Sequence, residues 1–211
     1  MKLEYKYPAE IEKRSMDIIE QELGEVDMGY TEKEILKRVI HTTADFDYRE
    51  NLYFSPGAVR TAISALEGGA DVVTDTNMAL AGINKGVLKT LGAGAHCFMA
   101  DRSVMEDARA KGITRAAAAV ERLEGWEKPF IYACGNAPTA LIRLRELIDE
   151  GKVRPALVIA TPVGFVNVVT AKELIIESGI PNITARGRKG GSTVAAAIVN
   201  ALLYKIRDDR E

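Results

Sequence analysis

Five short runs dominated by apolar residues punctuate the chain: Ala70–Thr74, Ala95–Ala100, Phe130–Gly135, Ala156–Ala160 and Asn182–Ala185. Their length and composition predict β-strands. Between them, Pro56–Glu67, Ile113–Glu124, Pro138–Glu150 and Val166–Ser178 carry apolar residues at helical spacing. Strands that alternate with helices predict an α/β fold, a Rossmann-like and mainly parallel sheet flanked by helices on both faces. ENLYF at 50–54 predicts a sixth strand. The chain up to about residue 45 differs, with two helices ahead of the alternation, so the fold carries an N-terminal helical segment. The second of these opens on Thr31-Glu32-Lys33-Glu34, a capping-box pattern, before Ile35, Leu36, Val39 and Ile40. A last helix is expected over Gly191–Arg207. No linker, repeat or break in composition divides the sequence, so residues 1–211 are expected to form one domain.

Composition narrows the function classes. Apolar residues make up 47% of the 211 positions, enough for a full core without disulfides. The 28 basic and 30 acidic side chains leave a formal charge of −2, so the basic excess of a general nucleic-acid binder is missing. Cys97 and Cys134 stand far apart in apolar surroundings and read as buried thiols of a reducing, cytoplasmic setting. MKLEYKYPAEIEKRS has no apolar leader, and the longest apolar run, Val194–Leu203, is interrupted by Asn200 and too short for a bilayer span. The expectation is a cytoplasmic protein with no membrane and no nucleic-acid partner.

In parallel sheets, ligands bind beyond the carboxyl ends of the strands. The turns expected there are rich in polar residues: Thr74-Asp75-Thr76-Asn77, Gly135-Asn136-Ala137-Pro138-Thr139, Thr161-Pro162-Val163-Gly164-Phe165 and Arg186-Gly187-Arg188-Lys189-Gly190-Gly191-Ser192. Ordinary turn and cap chemistry accounts for any one of them, with Asn136 or Thr139 as a cap and Pro138 in a first turn. The last turn is harder to explain that way. Three cations precede a helix N-terminus, where the macrodipole disfavours positive charge, and the glycines allow an anion-binding nest of N–H groups. A bound carboxylate or phosphate fits; a basic patch for nucleic acid lacks interleaved aromatic residues. Neither GxGxxG nor GxxxxGK[ST] occurs, so no nucleotide cofactor is indicated. His96 lies beside Cys97 in an expected strand, where the two point to opposite faces, and no HExxH or paired CxxC spacing exists, so no metal is expected.

His41 is the most informative single residue. Ile35, Leu36, Val39 and Ile40 share one face of their helix, while Glu34, Arg38 and His41 fall on the other. His41 is therefore not a core histidine. It is either an ordinary surface side chain or a proton-handling group. The nearby helix C-terminus favours its charged form and Arg38 opposes it.

Taken in order, Ser15-Met16, Arg38-Val-Ile-His41-Thr-Thr-Ala-Asp45, Phe54-Ser-Pro-Gly57-Ala and Thr74-Asp75-Thr76-Asn77-Met78-Ala resemble the precorrin-8X methylmutase family. Ile113-Thr-Arg115-Ala, Gly135-Asn-Ala-Pro-Thr-Ala-Leu141, Pro162-Val-Gly-Phe-Val166 and Gly187-Arg-Lys-Gly-Gly-Ser192 continue the resemblance over nearly the whole chain. It implies a homodimeric α/β enzyme that acts on a tetrapyrrole without a cofactor. The implied reaction shifts the methyl on C-11 of precorrin-8X, or of its cobalt form, to C-12, giving hydrogenobyrinic or cobyrinic acid. The family's histidine corresponds to His41, and Ser15 and Arg38 match substrate-binding positions. Because the substrate carries many carboxylates, Arg115, Arg186, Arg188 and Lys189 are expected around it, with Thr76, Asn136, Gly190 and Ser192 from the polar turns completing the set. The alternative is a tetrapyrrole carrier or sensor, which would not need His41.

Overall fold

The computed structural model describes residues 7–210; residues 1–6, the start of the stretch inspected for a leader, lie outside them. Two helices lead, α1 (Pro8–Leu23) and α2 (Tyr30–Thr43), and a single turn α3 (Tyr48–Asn51) feeds β1 (Leu52–Phe54). The start of α2 differs from the expected capping box. Gly29 is the cap residue, and its N–H donates to the Glu32 carboxylate at 2.9 Å, so Thr31 already lies inside the first turn. A reciprocal box needs a side-chain oxygen at the cap, which glycine lacks.

The alternation then runs α4 (Ala58–Glu67), β2 (Asp71–Thr74), α5 (Asn77–Gly82), α6 (Lys85–Thr90), β3 (Ala95–His96), α7 (Arg102–Lys111), α8 (Arg115–Glu121), β4 (Phe130–Cys134), α9 (Pro138–Asp149), β5 (Leu157–Ala160), α10 (Val168–Ile176), β6 (Asn182–Ala185) and α11 (Ser192–Asp208). Four elements, α3, α5, α6 and α7, go beyond the sequence expectation. Caps make the two six-residue ones: Thr76 Oγ1 accepts from the Ala79 N–H and Asn84 Oδ1 from the Val87 N–H. Conversely, the strand expected over Ala95–Ala100 stops at His96, and Cys97 lies past its end. The chain turns there, the Asp101 N–H donating to the Phe98 carbonyl, to launch α7. His96 itself is held by Asp71, whose carboxylate also takes the Gly94 N–H and the Lys128 ammonium.

The six strands lie in the order β1-β6-β5-β4-β2-β3, all parallel except β1, which pairs antiparallel with β6 at one edge. The five parallel strands, taken in chain order, thus follow the doubly wound order 2-1-3-4-5. Alternate strand residues face two separate cores. Val72, Ile131, Ala133, Leu157 and Ile159 pack with α1, α2, α4 and α11, whereas Val73, Tyr132, Cys134, Val158 and Ala160 pack with α8, α9 and α10. Burial on both faces is why these strands read as unbroken apolar runs.

α11 is apolar around most of its girth and nearly enclosed, with Val194, Ala195, Ile198, Val199, Leu202 and Leu203 buried. Its first turn abuts the end of β4. A Cβ on Gly135 would lie 2.5 Å from the Ser192 Cα and 2.7 Å from its N, both rigid backbone atoms. Gly135→Ala is therefore expected to destabilise the protein by about 1–3 kcal/mol in urea unfolding. An unchanged midpoint would mean that this crossing can open without cost.

Candidate active site at the carboxyl edge of the sheet

β2 and β4 are neighbours, and the chain leaves them toward opposite edges of the sheet, which makes the gap beyond their carboxyl ends the topological switch point. One carboxylate organises it. Asp75, 2% exposed, accepts from Gly135 N–H at 2.8 Å through Oδ1, and from Asn136 and Ala137 N–H at 2.8 and 2.7 Å through Oδ2. The cap of α9 is thus Ala137 with no side-chain cap bond, in place of Asn136 or Thr139. Asn136 leaves its side chain exposed at the edge. Thr76 and Ser192 meet through their hydroxyls at 2.8 Å, joining the starts of α5 and α11. Thr139 Oγ1 accepts from Thr114 Oγ1 at 2.9 Å, which brings the N-terminus of α8, and Arg115 with it, alongside that of α9.

The loop from Arg186 to Ser192 completes the edge. A Cβ on Gly190 would sit 2.1 Å from the Thr161 carbonyl oxygen, and the Gly191 N–H donates to that oxygen at 2.8 Å. Only glycine permits this contact. The expected cations divide into two kinds. Arg186 makes two bonds to Glu173, at 3.0 and 2.8 Å. Lys189 pairs with Asp45 at 2.7 Å and Asp47 at 2.6 Å, and these hydrogen bonds hold its pKa above the usual lysine range and that of Asp45 below the usual carboxylate range. Arg188 lies over the Phe165 ring at 5.6 Å, and among the described residues neither it nor Arg115 has a carboxylate partner.

Lys189 also accounts for the position of His41. Its two carboxylate partners follow α2 directly, so the ion pairs tie the C-terminus of that helix to the Arg186–Ser192 loop. His41, in the last turn, is exposed and has no hydrogen-bond partner among the described residues. Arg38 is placed differently, with its guanidinium on Glu12 at 3.3 Å and over the Tyr204 ring at 4.8 Å. Ser15, one turn beyond Glu12 on α1, donates to the Ile11 carbonyl at 2.8 Å. Ser15 and Arg38 therefore share the α1–α2 face, whereas Thr76, Asn136, Arg188, Lys189, Gly190 and Ser192 gather at the strand edge.

Sequence reasoning gave no role to two features of this edge, naming Phe165 and Val166 only within motifs and Lys172 not at all. Phe165 and Val166, 82% and 77% exposed, present a large apolar surface next to Arg188. Lys172 of α10 is fully buried beneath the loop. Its signal is visible in hindsight, because it occupies a core position in the stripe Val168, Ala171, Lys172, Ile175. Apolar surface, unpaired cations and an unengaged histidine together suit a flat apolar ligand with an anionic rim.

Comparisons with known proteins point to one family. A family model described as precorrin-8X methylmutase matches residues 10–205. The chain is 44% identical over 207 residues to the cobalt-precorrin-8 methylmutase of Salmonella typhimurium, covering 95% of this chain and 97% of the relative. It is 38% identical over 167 residues to the precorrin-8X methylmutase of Pseudomonas aeruginosa, 78% of this chain and 80% of the relative. The solved structure of precorrin-8X methyl mutase from Thermus thermophilus superposes with a TM-score of 0.88 at 40% identity, over 95% of this chain and 97% of that one.

Removing the organising carboxylate strands three amides. Gly135 is buried, Ala137 half-buried and Asn136 exposed, so with each buried, unsatisfied group costing about 1–3 kcal/mol, Asp75→Ala is expected to lose about 1–3 kcal/mol of stability. A loss below about 1 kcal/mol in urea or thermal unfolding would show that water replaces the carboxylate.

Proposed function

The chain belongs to the precorrin-8X methylmutase family, and from that membership we propose that it is the isomerase of cobalamin biosynthesis that moves the C-11 methyl of precorrin-8X, or of cobalt-precorrin-8, to C-12. The observation that carries the assignment to this edge is the meeting of exposed apolar side chains, Phe165 and Val166, with a cation lacking a carboxylate partner, Arg188. A corrin precursor has the matching form, a broad apolar ring with carboxylates around its rim.

The reaction breaks the C-11–CH3 bond, makes the C-12–CH3 bond, and leaves composition and oxidation level unchanged. It is formally a [1,5]-sigmatropic shift within a conjugated ring, for which no external redox partner or methyl carrier is needed. Protonation of the macrocycle, or relay of one of its protons, redistributes the π-electrons and lowers the barrier to migration. His41 is the group we assign to that proton. It is exposed at a helix end tied to the crevice and is not committed to a neighbour. Ser15 and Arg38 hold the substrate from the α1–α2 face. Arg115, Arg188 and the N–H groups of the Arg186–Ser192 loop take its carboxylates, and Arg186 and Lys189 chiefly fix the loop through their acidic partners.

We further propose that two copies pair to enclose the ligand. The crevice is open in the single chain, and Val163, Phe165, Val166 and Met78 leave apolar surface exposed near it. No helix among the described residues is long and apolar enough to cross a membrane, which accords with work in the cytoplasm.

Anaerobic incubation with metal-free precorrin-8X, followed by visible spectroscopy, tests the reaction directly. Conversion is expected for the wild type, and His41→Ala should lower kcat by about 10²–10⁴-fold while tetrapyrrole affinity changes little. Parallel assays with cobalt-precorrin-8 identify the preferred form. Binding of both forms without conversion would make the protein a carrier. Arg115→Ala and Arg188→Ala should each weaken product binding by about tenfold or more, and an unchanged affinity would remove that arginine from the site.

A further inference from the structure

Lys172 is the largest of the fully buried side chains, and no carboxylate pairs with it among the described residues. An uncompensated buried ammonium is costly, and an apolar chain of similar length would fill the space more cheaply. What the ammonium does contact is backbone. Nζ donates to the Gly187 carbonyl at 2.9 Å and to the Lys189 carbonyl at 2.8 Å. Between them, the Arg188 carbonyl accepts from the Gly164 N–H at 3.1 Å.

The direction of these carbonyls fixes the direction of the amides. No peptide bond is cis, so in each unit the N–H points opposite to the C=O. The Gly187 carbonyl shares its unit with the Arg188 N–H, and the Lys189 carbonyl shares its unit with the Gly190 N–H. Drawing both carbonyls inward onto one ammonium therefore turns both N–H groups away from it. Neither N–H has an acceptor among the described residues. Both amides are thus turned outward and left open to an anionic ligand, a few residues before a helix N-terminus.

We propose that Lys172 is a positioning residue that holds the Gly187–Gly190 backbone so that the Arg188 and Gly190 N–H groups bind a carboxylate of the substrate. The proposal rests on the assignment of this edge to the tetrapyrrole. Lys172 touches no substrate and acts only through the loop. Burial pushes its pKa down to about 8, against the opposing influence of Cys134 and Glu173. Burial keeps the Cys134 thiol protonated, and Glu173 is committed to Arg186. As pH rises through about 8 the ammonium is lost, its hold on the two carbonyls weakens and the two amides lose their orientation. Ligand affinity gained from these amides is thus present below that pH and falls above it.

The test is binding of hydrogenobyrinic acid between pH 6.5 and 9.5, with the Arg188 and Gly190 amides followed by NMR, in wild type and in Lys172→Met. In the wild type the ligand should shift both amides, and affinity should fall with a midpoint near pH 8. Lys172→Met should bind about tenfold more weakly at pH 7, keep kcat within about threefold, and show no step near pH 8. Should Lys172→Met fail to fold, Lys172→Gln, which retains a donor without the charge, should show intermediate affinity and no step. Binding without a shift at these amides, unchanged affinity in the variants, or persistence of the step would overturn the role of Lys172 and leave the methylmutase assignment standing. No tetrapyrrole binding by the wild type at any pH would overturn that assignment, and this inference with it.

Discussion

The Asp75 carboxylate accepts from three successive amides that open the turn after β4, and the geometry of the strand edge follows from that contact. By gathering Gly135, Asn136 and Ala137 it fixes the start of α9 without a cap from that helix's own side chains. The next residue on its own side, Thr76, caps α5 and meets Ser192 at the head of α11. Three helix N-termini are therefore anchored within a few residues of one buried acid. Water cannot easily replace the bond to Gly135, which is buried, whereas Ala137 is half-buried and Asn136 exposed. The close approach of Gly135 to the Ser192 backbone is possible because Gly135 has no Cβ.

The charges around the crevice divide by function once their partners are known. Arg186 is neutralised within its own neighbourhood by Glu173, and Lys189 connects two parts of the chain that are distant in sequence. Solvent-exposed pairs of this kind contribute little stability, about 0–1 kcal/mol each, so their value lies in orientation. Arg188, between them, rests on an aromatic face and keeps its charge available. A loop with three cations thus has two committed to carboxylates and one resting on an aromatic ring.

The general architecture was legible in the sequence because the parallel strands are buried on both faces. Val72-Val73, Phe130–Cys134 and Leu157–Ala160 leave no polar alternation to misread, and helices with a full apolar stripe, such as Pro138–Asp149, announced themselves. α5 and α6 were not legible, since six residues do not establish a period and their evidence is a single cap each. α7 presents only Val104 and Ala108 to the core, too thin a stripe to register. At the site, the glycines of the last loop and the placement of His41 off the apolar face could be read locally. The division of the cations could not, because Glu173, Asp45 and Asp47 are neighbours only in the folded chain. Asp75 was visible as part of a polar turn, but its partners lie 60 to 62 residues further on.

The antiparallel pairing of β1 with β6 joins residues 52–54 to residues 183–185. The same long closure is repeated where α2 rests on α11 and where Asp45 meets Lys189. Helix α2, His41 included, consequently finds its most extensive packing partner, α11, only at the far end of the chain, whereas α4 already rests on β4 and β5. The sheet from β2 to β5 can form from contacts nearer in sequence, but the crevice cannot. Chain closure of this span is entropically costly and slow compared with local contacts. During synthesis α2 therefore gains its main packing partner only after β6 has emerged and α11 has followed it.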